Sequence, residues 1–215
     1  MIKAVLFDMD GTVFDTERVY RECWFRAAEA VGFSEMEDLL ARIFGVSERE
    51  IGEYVYKKYG AEFPYERMLS LRAEMIEQYV EEHGVPLKDG VPAVFSELHR
   101  RGVACALVSS APAFRIRDFL SRSRLEQAFD HTVSGDRVKN GKPSPDIFLL
   151  AAQEMGLSPA ECMVAEDSHN GVLAGYRAGM SVAMIPDLQP FAESIRPYVT
   201  HLLTSLAELP ALLDR

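Results

Sequence analysis

Residues 4–12 read Ala-Val-Leu-Phe-Asp-Met-Asp-Gly-Thr, an apolar run that ends abruptly in two aspartates and a glycine. Consecutive apolar residues without polar alternation are typical of a strand that is covered on both faces of a sheet. Gly11 marks a turn directly after that strand. The stretch therefore predicts a buried strand with Asp8 and Asp10 at its carboxyl end.

Further short apolar runs predict more strands along the chain. They lie at 104–108, 132–133, 163–165 and 182–185, with a weaker candidate at 201–203. Helical patterns lie between most of them, for example at 92–98 and 147–155. Because strands that alternate with helices pair in parallel, we expect a three-layer α/β/α fold with a parallel sheet.

The region between Thr16 and Gly84 has a different pattern. Apolar residues recur there at helical spacing, and no strand signal appears. We therefore predict two domains. Residues 1–15 and 85–215 form an α/β core, and residues 16–84 form an inserted all-helical domain.

Composition and charge restrict the possible partners. The chain has 215 residues, of which 48% are hydrophobic and 26% charged, as in ordinary globular proteins. Its net charge of −10 disfavours binding to nucleic acid or to an anionic membrane. No signal-peptide core and no membrane-spanning apolar run are present, and Cys23, Cys105 and Cys162 are spaced as buried thiols rather than as a disulfide framework. We expect a cytoplasmic protein. The sequence does not determine its oligomeric state, and a monomer is compatible with it.

Chemically active side chains follow several predicted strands, where the carboxyl ends of parallel strands meet at one edge of the sheet. They are Asp8, Asp10, Ser109, Ser110, Lys142, Glu166 and Asp167. A cluster of ionised carboxylates requires cationic compensation, and Mg²⁺ prefers oxygen ligands. A lysine and hydroxyl groups at the same edge would bind a phosphate group. The sequence thus predicts a site for Mg²⁺ and a small phosphorylated metabolite.

The same residues form four motifs that resemble, in order, those of the haloacid dehalogenase superfamily of phosphotransferases. The motifs are Asp8-Met9-Asp10-Gly11-Thr12-Val13, Val108-Ser109-Ser110, Lys142-Pro143-Ser144-Pro145-Asp146 and Glu166-Asp167-Ser168. The resemblance implies a Rossmann-like core with the helical insertion as a cap domain. It also implies that Asp8 is the nucleophile that forms an aspartyl-phosphate, and that Asp10 is the general acid and base.

The resemblance further implies the binding roles of the remaining residues. Ser109, Ser110 and Lys142 would bind the substrate phosphate. Mg²⁺ would be held by Asp8, Asp10, Glu166 and Asp167, with Asp10 contributing its backbone carbonyl.

The branch of the superfamily that this chain resembles holds β-phosphoglucomutase and small sugar-phosphate phosphatases. Gly45-Val46-Ser47 resembles a loop of the mutase, but Glu48 separates it from Arg49, and Tyr20 stands where the mutase has a histidine. These departures favour a phosphatase that acts on a small organic phosphomonoester, and a sugar phosphate is the expected substrate. The mutase reaction is the alternative. A phospho-accepting signalling module is a third reading, disfavoured by the helical insertion and the second acidic pair.

Some of these residues also have purely structural interpretations. Ser144 before Pro145 is typical of a helix N-cap, and Ser168 could cap the following helix. Trp24, Tyr54, Tyr56 and Tyr59 lie on predicted helices of the insertion, where we expect them to have a packing role. The basic residues of the insertion are expected as solvated surface charges; they are Arg49, Lys57, Lys58 and Arg72.

Overall fold

The computed structural model describes residues 1–43 and 48–214. The chain forms two compact units, one of Met1–Asp15 with Val85–Arg215 and one of Thr16–Gly84. We call them the α/β unit and the helical unit. The α/β unit is thus built from two separate chain segments. The identification of the helical unit as a cap domain stays a prediction.

A parallel sheet forms the centre of the α/β unit. Within the described residues its strands are β1 (Ala4–Phe7), β2 (Ala104–Ser109), β3 (His131–Ser134), β4 (Cys162–Glu166), β5 (Ser181–Met184) and β6 (His201–Leu202). Their order is β3-β2-β1-β4-β5-β6. Every predicted strand is present, within one residue at each end. The fully buried residues of β1 and β4 explain why both strands lack polar residues along most of their length.

The helical unit consists of α1 (Glu17–Ala30), α2 (Met36–Ile43), α3 (Glu48–Tyr59) and α4 (Tyr65–His83). Its described residues include no strand, in agreement with the sequence pattern. The buried core includes Trp24, Leu39, Val55 and Met68, and the predicted packing role of the tyrosines is confirmed at Tyr54, Tyr56 and Tyr59. Gly45-Val46-Ser47 and the side chain of Arg49 lie outside the described residues.

Helices cover both faces of the sheet. They are α5 (Val91–Arg100), α6 (Ala113–Ser123), α7 (Asp146–Glu154) and α8 (His169–Arg177). On one face, Phe148 of α7 and Val172 of α8 share a core with Leu6. On the opposite face, the ring of Phe7 lies 4.9 Å from that of Phe95 in α5. Because Leu6 and Phe7 are adjacent and point to opposite faces, the predicted three-layer α/β architecture is confirmed.

Two local predictions about polar residues are wrong. Ser144 is not the N-cap of α7, because the helix begins at Asp146 with Pro145 at the cap, and the Ser144 hydroxyl donates instead to Asp146 Oδ1 at 2.6 Å. Arg72 is not a solvated charge: its guanidinium group lies 4.7 Å from the Trp24 ring centre and 5.2 Å from that of Tyr20. A planar, weakly hydrated guanidinium packs on aromatic rings more readily than an ammonium does. Lys57 and Lys58 are exposed as expected.

An ionic triad joins the two chain segments of the α/β unit. Lys88 Nζ lies 3.1 Å from Asp15 Oδ1 and 2.8 Å from Asp187 Oδ1. Asp15 ends the first segment, Lys88 lies near the start of the second, and Asp187 follows β5. Only 8% of the Asp187 side chain is exposed, so this carboxylate depends on the ammonium group for its charge compensation.

Two further observations concern the whole chain. Cys23, Cys105 and Cys162 are buried and free, which confirms the prediction of buried thiols. Among the described helices, none combines the length and the apolar character that a membrane span requires.

Candidate active site

Asp8 lies at the topological switch point of the sheet. It directly follows β1, and its backbone N–H donates to the carbonyl oxygen of Ala165 in β4 at 2.9 Å. The chain runs from β1 to β2 and β3 on one side and then continues through β4 to β6 on the other. Because the connections diverge between β1 and β4, a crevice opens at the carboxyl ends of these strands. The predicted nucleophile stands at that crevice.

A tight turn follows Asp8 and carries Asp10. Gly11 has a φ of 81°, a conformation that favours glycine, and its N–H donates to the carbonyl oxygen of Phe14 at 2.8 Å. The carbonyl oxygen of Met9 accepts from Val13 at 3.0 Å and from Phe14 at 2.9 Å. These bonds fix the backbone of the turn, in which the Asp10 side chain is half-buried.

Lys142 bridges two carboxylates at the carboxyl ends of neighbouring strands, one after β1 and one at the end of β4. Its Nζ lies 2.5 Å from Asp8 Oδ1 and 2.7 Å from Glu166 Oε1. Only 5% of the lysine side chain is exposed. Burial lowers the pKa of Lys142, but the carboxylates of Asp8 and Glu166 outweigh burial and raise that pKa above its ordinary value. Lys142 is therefore a fixed positive charge beside Asp8.

Glu166 is held by hydrogen bonds at both oxygens. Oε1 contacts Lys142, and Oε2 accepts from both the backbone N–H and the hydroxyl of Ser168, each at 2.9 Å. The Ser168 hydroxyl also accepts from the Gly171 N–H at 3.1 Å and thereby caps α8, as the sequence allowed. A Cβ on Gly171 would lie 1.7 Å from Glu166 Oε1. The first turn of α8 can accommodate the Glu166 carboxylate only because residue 171 is glycine.

Three carboxylates converge at this edge of the sheet. Oxygen atoms of Asp8, Glu166 and Asp167 all lie within 4.8 Å of one another. Burial is the largest cause that raises the pKa of Asp8 to about 8; Lys142 lowers that pKa, whereas Glu166 and Asp10 raise it. Ionisation of all three carboxylates beside one ammonium group would leave an excess of negative charge, which a divalent cation would compensate. Because Mg²⁺ also prefers oxygen donors, this residue set fits the cation.

Ser109 and Ser110 end β2 and begin the loop before α6. The Ser109 side chain is buried, and its hydroxyl oxygen accepts from the Ala111 N–H at 3.0 Å. Ser110 is exposed. Lys142 Nζ also lies 3.4 Å from the carbonyl oxygen of Val108 in β2. The lysine thus contacts groups from β2 and from the ends of β1 and β4.

Two residues at the site were not anticipated from the sequence. Gly171 makes room for Glu166, and Arg177 Nη1 donates to the carbonyl oxygen of Pro143 at 2.7 Å, next to Lys142. A glycine in the first turn of a helix is unfavourable by itself, so its presence was a signal of close packing. No pattern in the sequence indicated the contact of Arg177.

Comparison with known proteins identifies the family. The family model of haloacid dehalogenase-like hydrolases matches residues 2–179. The chain belongs to this family. This haloacid dehalogenase-like hydrolase is 36% identical over 183 residues to a phosphorylated carbohydrates phosphatase of Thermotoga maritima, with 83% of this chain and 82% of the relative covered.

Two further relatives extend the comparison. The hydrolase is 30% identical over 195 residues to a β-phosphoglucomutase of Bacillus subtilis, with 88% of this chain and 85% of the relative covered. The solved structure of CbbY from Rhodobacter sphaeroides in complex with phosphate has a TM-score of 0.81 and 27% identity, and the match covers 97% of this chain and 96% of that one. The predicted superfamily and branch are confirmed.

Proposed function

We propose that this hydrolase is a Mg²⁺-dependent phosphatase that releases orthophosphate from a small organic phosphomonoester through an aspartyl-phosphate on Asp8. The proposal rests on the position of the Asp8 carboxylate. It lies at the switch point, 2.5 Å from a buried ammonium group and beside two further carboxylates. The similarity to a phosphatase of phosphorylated carbohydrates supports the reaction class and favours a sugar phosphate as substrate.

In the first half-reaction, an Asp8 carboxylate oxygen bonds to phosphorus while the ester P–O bond breaks. Asp10 gives its proton to the departing oxygen, so the alcohol leaves neutral. In the second half-reaction Asp10 removes a proton from water, the water oxygen bonds to phosphorus, and the bond between phosphorus and Asp8 breaks. Asp10 begins and ends the cycle protonated, and Asp8 is regenerated.

The binding roles follow from charge and hydrogen-bonding capacity. Lys142 would place its ammonium group against the phosphoryl oxygens, and Ser109 and Ser110 would donate hydrogen bonds to them. Mg²⁺ would be held by Asp8, Asp167 and the Asp10 carbonyl, with Glu166 at its periphery or as a ligand, and would supply charge neutralisation of the phosphate when bound. The bonds of Glu166 to Lys142 and Ser168 fix its carboxylate, which lies within 4.8 Å of those of Asp8 and Asp167, and this proximity supports the assignment.

The similarity to a β-phosphoglucomutase supports a second candidate. In that reaction a sugar hydroxyl, rather than water, accepts the phosphoryl group from Asp8. Tyr20 lies on α1 and is buried beneath the guanidinium group of Arg72. Since the departures at Tyr20 and Glu48 separate this chain from the mutase pattern, we keep hydrolysis as the first candidate.

The test is orthophosphate release from a panel of phosphorylated metabolites, with Mg²⁺ and with a chelator. We expect sustained turnover that the chelator abolishes and that Mg²⁺ restores. Asp8→Asn preserves the shape of the side chain but removes the nucleophile, so the variant should retain a native circular dichroism spectrum and lose turnover. Turnover by Asp8→Asn close to that of the wild type would refute the proposal. β-Glucose 1-phosphate with a bisphosphate primer separates the two candidates, because only the mutase forms glucose 6-phosphate.

A further inference from the structure

The loop that follows β2 is fastened to the turn that follows β3. In the sheet Ser109 is the register partner of Ser134, so both strands end at the same level. Beyond Ser134 the chain makes a short turn at Gly135–Arg137. The loop of residues 110–112, which leads into α6, lies against this turn. We call residues 109–113 the serine loop.

Gly135 contacts the backbone of the serine loop directly. Its N–H donates to the carbonyl oxygen of Ala111 at 3.0 Å. A Cβ on Gly135 would lie 2.3 Å from the carbonyl oxygen and 2.8 Å from the carbonyl carbon of Ser110. These atoms belong to the backbone, which cannot rotate away as a flexible side chain can. Any larger residue at position 135 must therefore displace the Ser110 peptide.

Asp136 supplies the second attachment. Its Oδ2 accepts from the Ala113 N–H at 3.1 Å, which is the first N–H of α6. The buried hydroxyl of Ser134 donates to Asp136 Oδ1 and holds the carboxylate in place. Hydrogen bonds from Ser134 and Ala113 lower the pKa of Asp136, so the carboxylate is the form that makes both contacts. The acceptor thus satisfies an N–H that the helix itself leaves unpaired.

We propose that Gly135 and Asp136 are positioning residues that set the backbone of the serine loop for phosphate binding. The attachments reach the loop backbone at Ser110, Ala111 and Ala113, so they fix where the N–H groups and hydroxyls point. This inference rests on the proposed role of Ser109 and Ser110 in binding the substrate phosphate. Neither positioning residue needs to touch the substrate. Small displacements of such a binding group cost large factors in rate.

The test combines a structural and a functional readout. Gly135→Ala and Asp136→Ala are compared with Asp136→Asn, which keeps an acceptor for Ala113 and can donate to the Ser134 hydroxyl oxygen. The structural readout is amide hydrogen exchange at Ala111 and Ala113. The functional readouts are inhibition by orthophosphate and kcat/KM on p-nitrophenyl phosphate. Asp118→Ala removes an exposed acidic side chain from α6, the helix that follows the serine loop, and is the control for the loss of one acidic residue.

We expect faster exchange at both amides in Gly135→Ala and Asp136→Ala, with about tenfold weaker inhibition by orthophosphate and kcat/KM lower by up to about 10²-fold. Asp136→Asn should recover most of the loss, and Asp118→Ala should match the wild type. If Gly135→Ala does not fold, Asp136→Ala and its rescue decide the question. If the wild type is active and Asp136→Ala keeps both orthophosphate inhibition and kcat/KM within twofold of the wild-type values, the inference is overturned but the proposed function is not. A wild type without turnover or orthophosphate binding would overturn the proposed function as well.

Discussion

At the scale of single residues, the candidate site depends on a glycine as much as on its acids. Glu166 has no exposed surface, and both of its oxygens are occupied by hydrogen bonds to Lys142 and Ser168. A Cβ at position 171 would lie 1.9 Å from the carboxyl carbon of Glu166. The carboxylate would then have to move, and its bond to Lys142 would be lost. Gly171 therefore controls the environment of the lysine without touching it.

Gly171→Ala is expected to reduce kcat/KM by on the order of 10²-fold, because Lys142 would lose one of its two carboxylate partners. Alanine favours a helix over glycine by about 1 kcal/mol, which offsets part of the stability lost with the hydrogen bonds. Steady-state kinetics and urea unfolding measure the two effects separately. Gly175→Ala in the same helix is the matched control, since its Cβ would meet Val182 and Val164 in the core at 3.0–3.2 Å. The control should change stability only; equal kinetic losses in both variants would contradict the assignment.

At the scale of elements, the N-terminus of α8 combines a structural and a chemical role. Ser168 caps the helix with the hydroxyl oxygen that accepts from Gly171, and the same hydroxyl donates to Glu166. The cap thus couples the start of α8 to the end of β4. Loss of the hydroxyl should affect both the helix and the site.

Ser168→Ala should lower the free energy of unfolding by about 1 kcal/mol, the usual effect of removing an N-cap hydroxyl. It should also lower kcat/KM, because Glu166 loses one of its donors. Ser158→Ala is the control: its hydroxyl donates to Glu161 at 2.8 Å just before β4, at the opposite end of that strand. Urea unfolding and kinetics should show a smaller stability loss and unchanged activity in the control. A Ser168→Ala variant with wild-type stability would show that the cap is dispensable.

The elements also show which features the sequence could predict. The strands were predictable because burial on both faces leaves runs of apolar residues, and the site residues followed from their positions after those strands. The prediction of a Ser144 cap was wrong because α7 begins one residue later than expected, at Asp146 with Pro145 at the cap, and the Ser144 hydroxyl donates to the Asp146 carboxylate. The prediction that Arg72 is a solvated surface charge was wrong because the local sequence does not show that Tyr20 and Trp24 approach it from another helix. The close approach of Gly171 to Glu166 likewise exists only in three dimensions.

At the scale of the whole molecule, the α/β unit must hold two chain segments together. Lys88 links Asp15 of the first segment to Asp187 beyond β5. Burial lowers the pKa of Lys88, but the hydrogen bonds that its ammonium group donates to Asp187 and Asp15 raise that pKa overall, so the ammonium form is stabilised. Removal of the ammonium would leave two carboxylates facing each other in a largely buried place.

Lys88→Met is expected to lower the free energy of unfolding by about 2 kcal/mol, the scale of a lost hydrogen bond to a charged group. Urea unfolding measures the change. The double variant Lys88→Met with Asp187→Leu should recover part of the loss, because it removes one of the unpaired carboxylates. Arg122→Ala breaks the exposed pair with Asp118 and should cost less than about 0.5 kcal/mol. A Lys88→Met variant no less stable than Arg122→Ala would refute the role of the triad.

The buried thiols should lower the stability of the fold at alkaline pH. Burial raises the pKa of Cys105 to about 12 and that of Cys162 to about 11. In the unfolded chain both thiols ionise near pH 8.5, so the native state binds more protons above that pH. The free energy of unfolding should therefore fall as the pH rises above about 9, and native Cys105 should resist alkylation at pH 8. Cys105→Ala should flatten the alkaline slope in urea unfolding; an unchanged slope would contradict this explanation.

The strand order has a consequence for synthesis on the ribosome. β1 emerges first yet ends up between β2 and β4, and β4 begins only at Cys162. Until translation reaches that point, one edge of β1 has no neighbour to bond with, although its residues are apolar on both faces. Such an edge is prone to intermolecular association. The nascent polypeptide therefore passes through a long interval in which β1 would be a binding target for a chaperone.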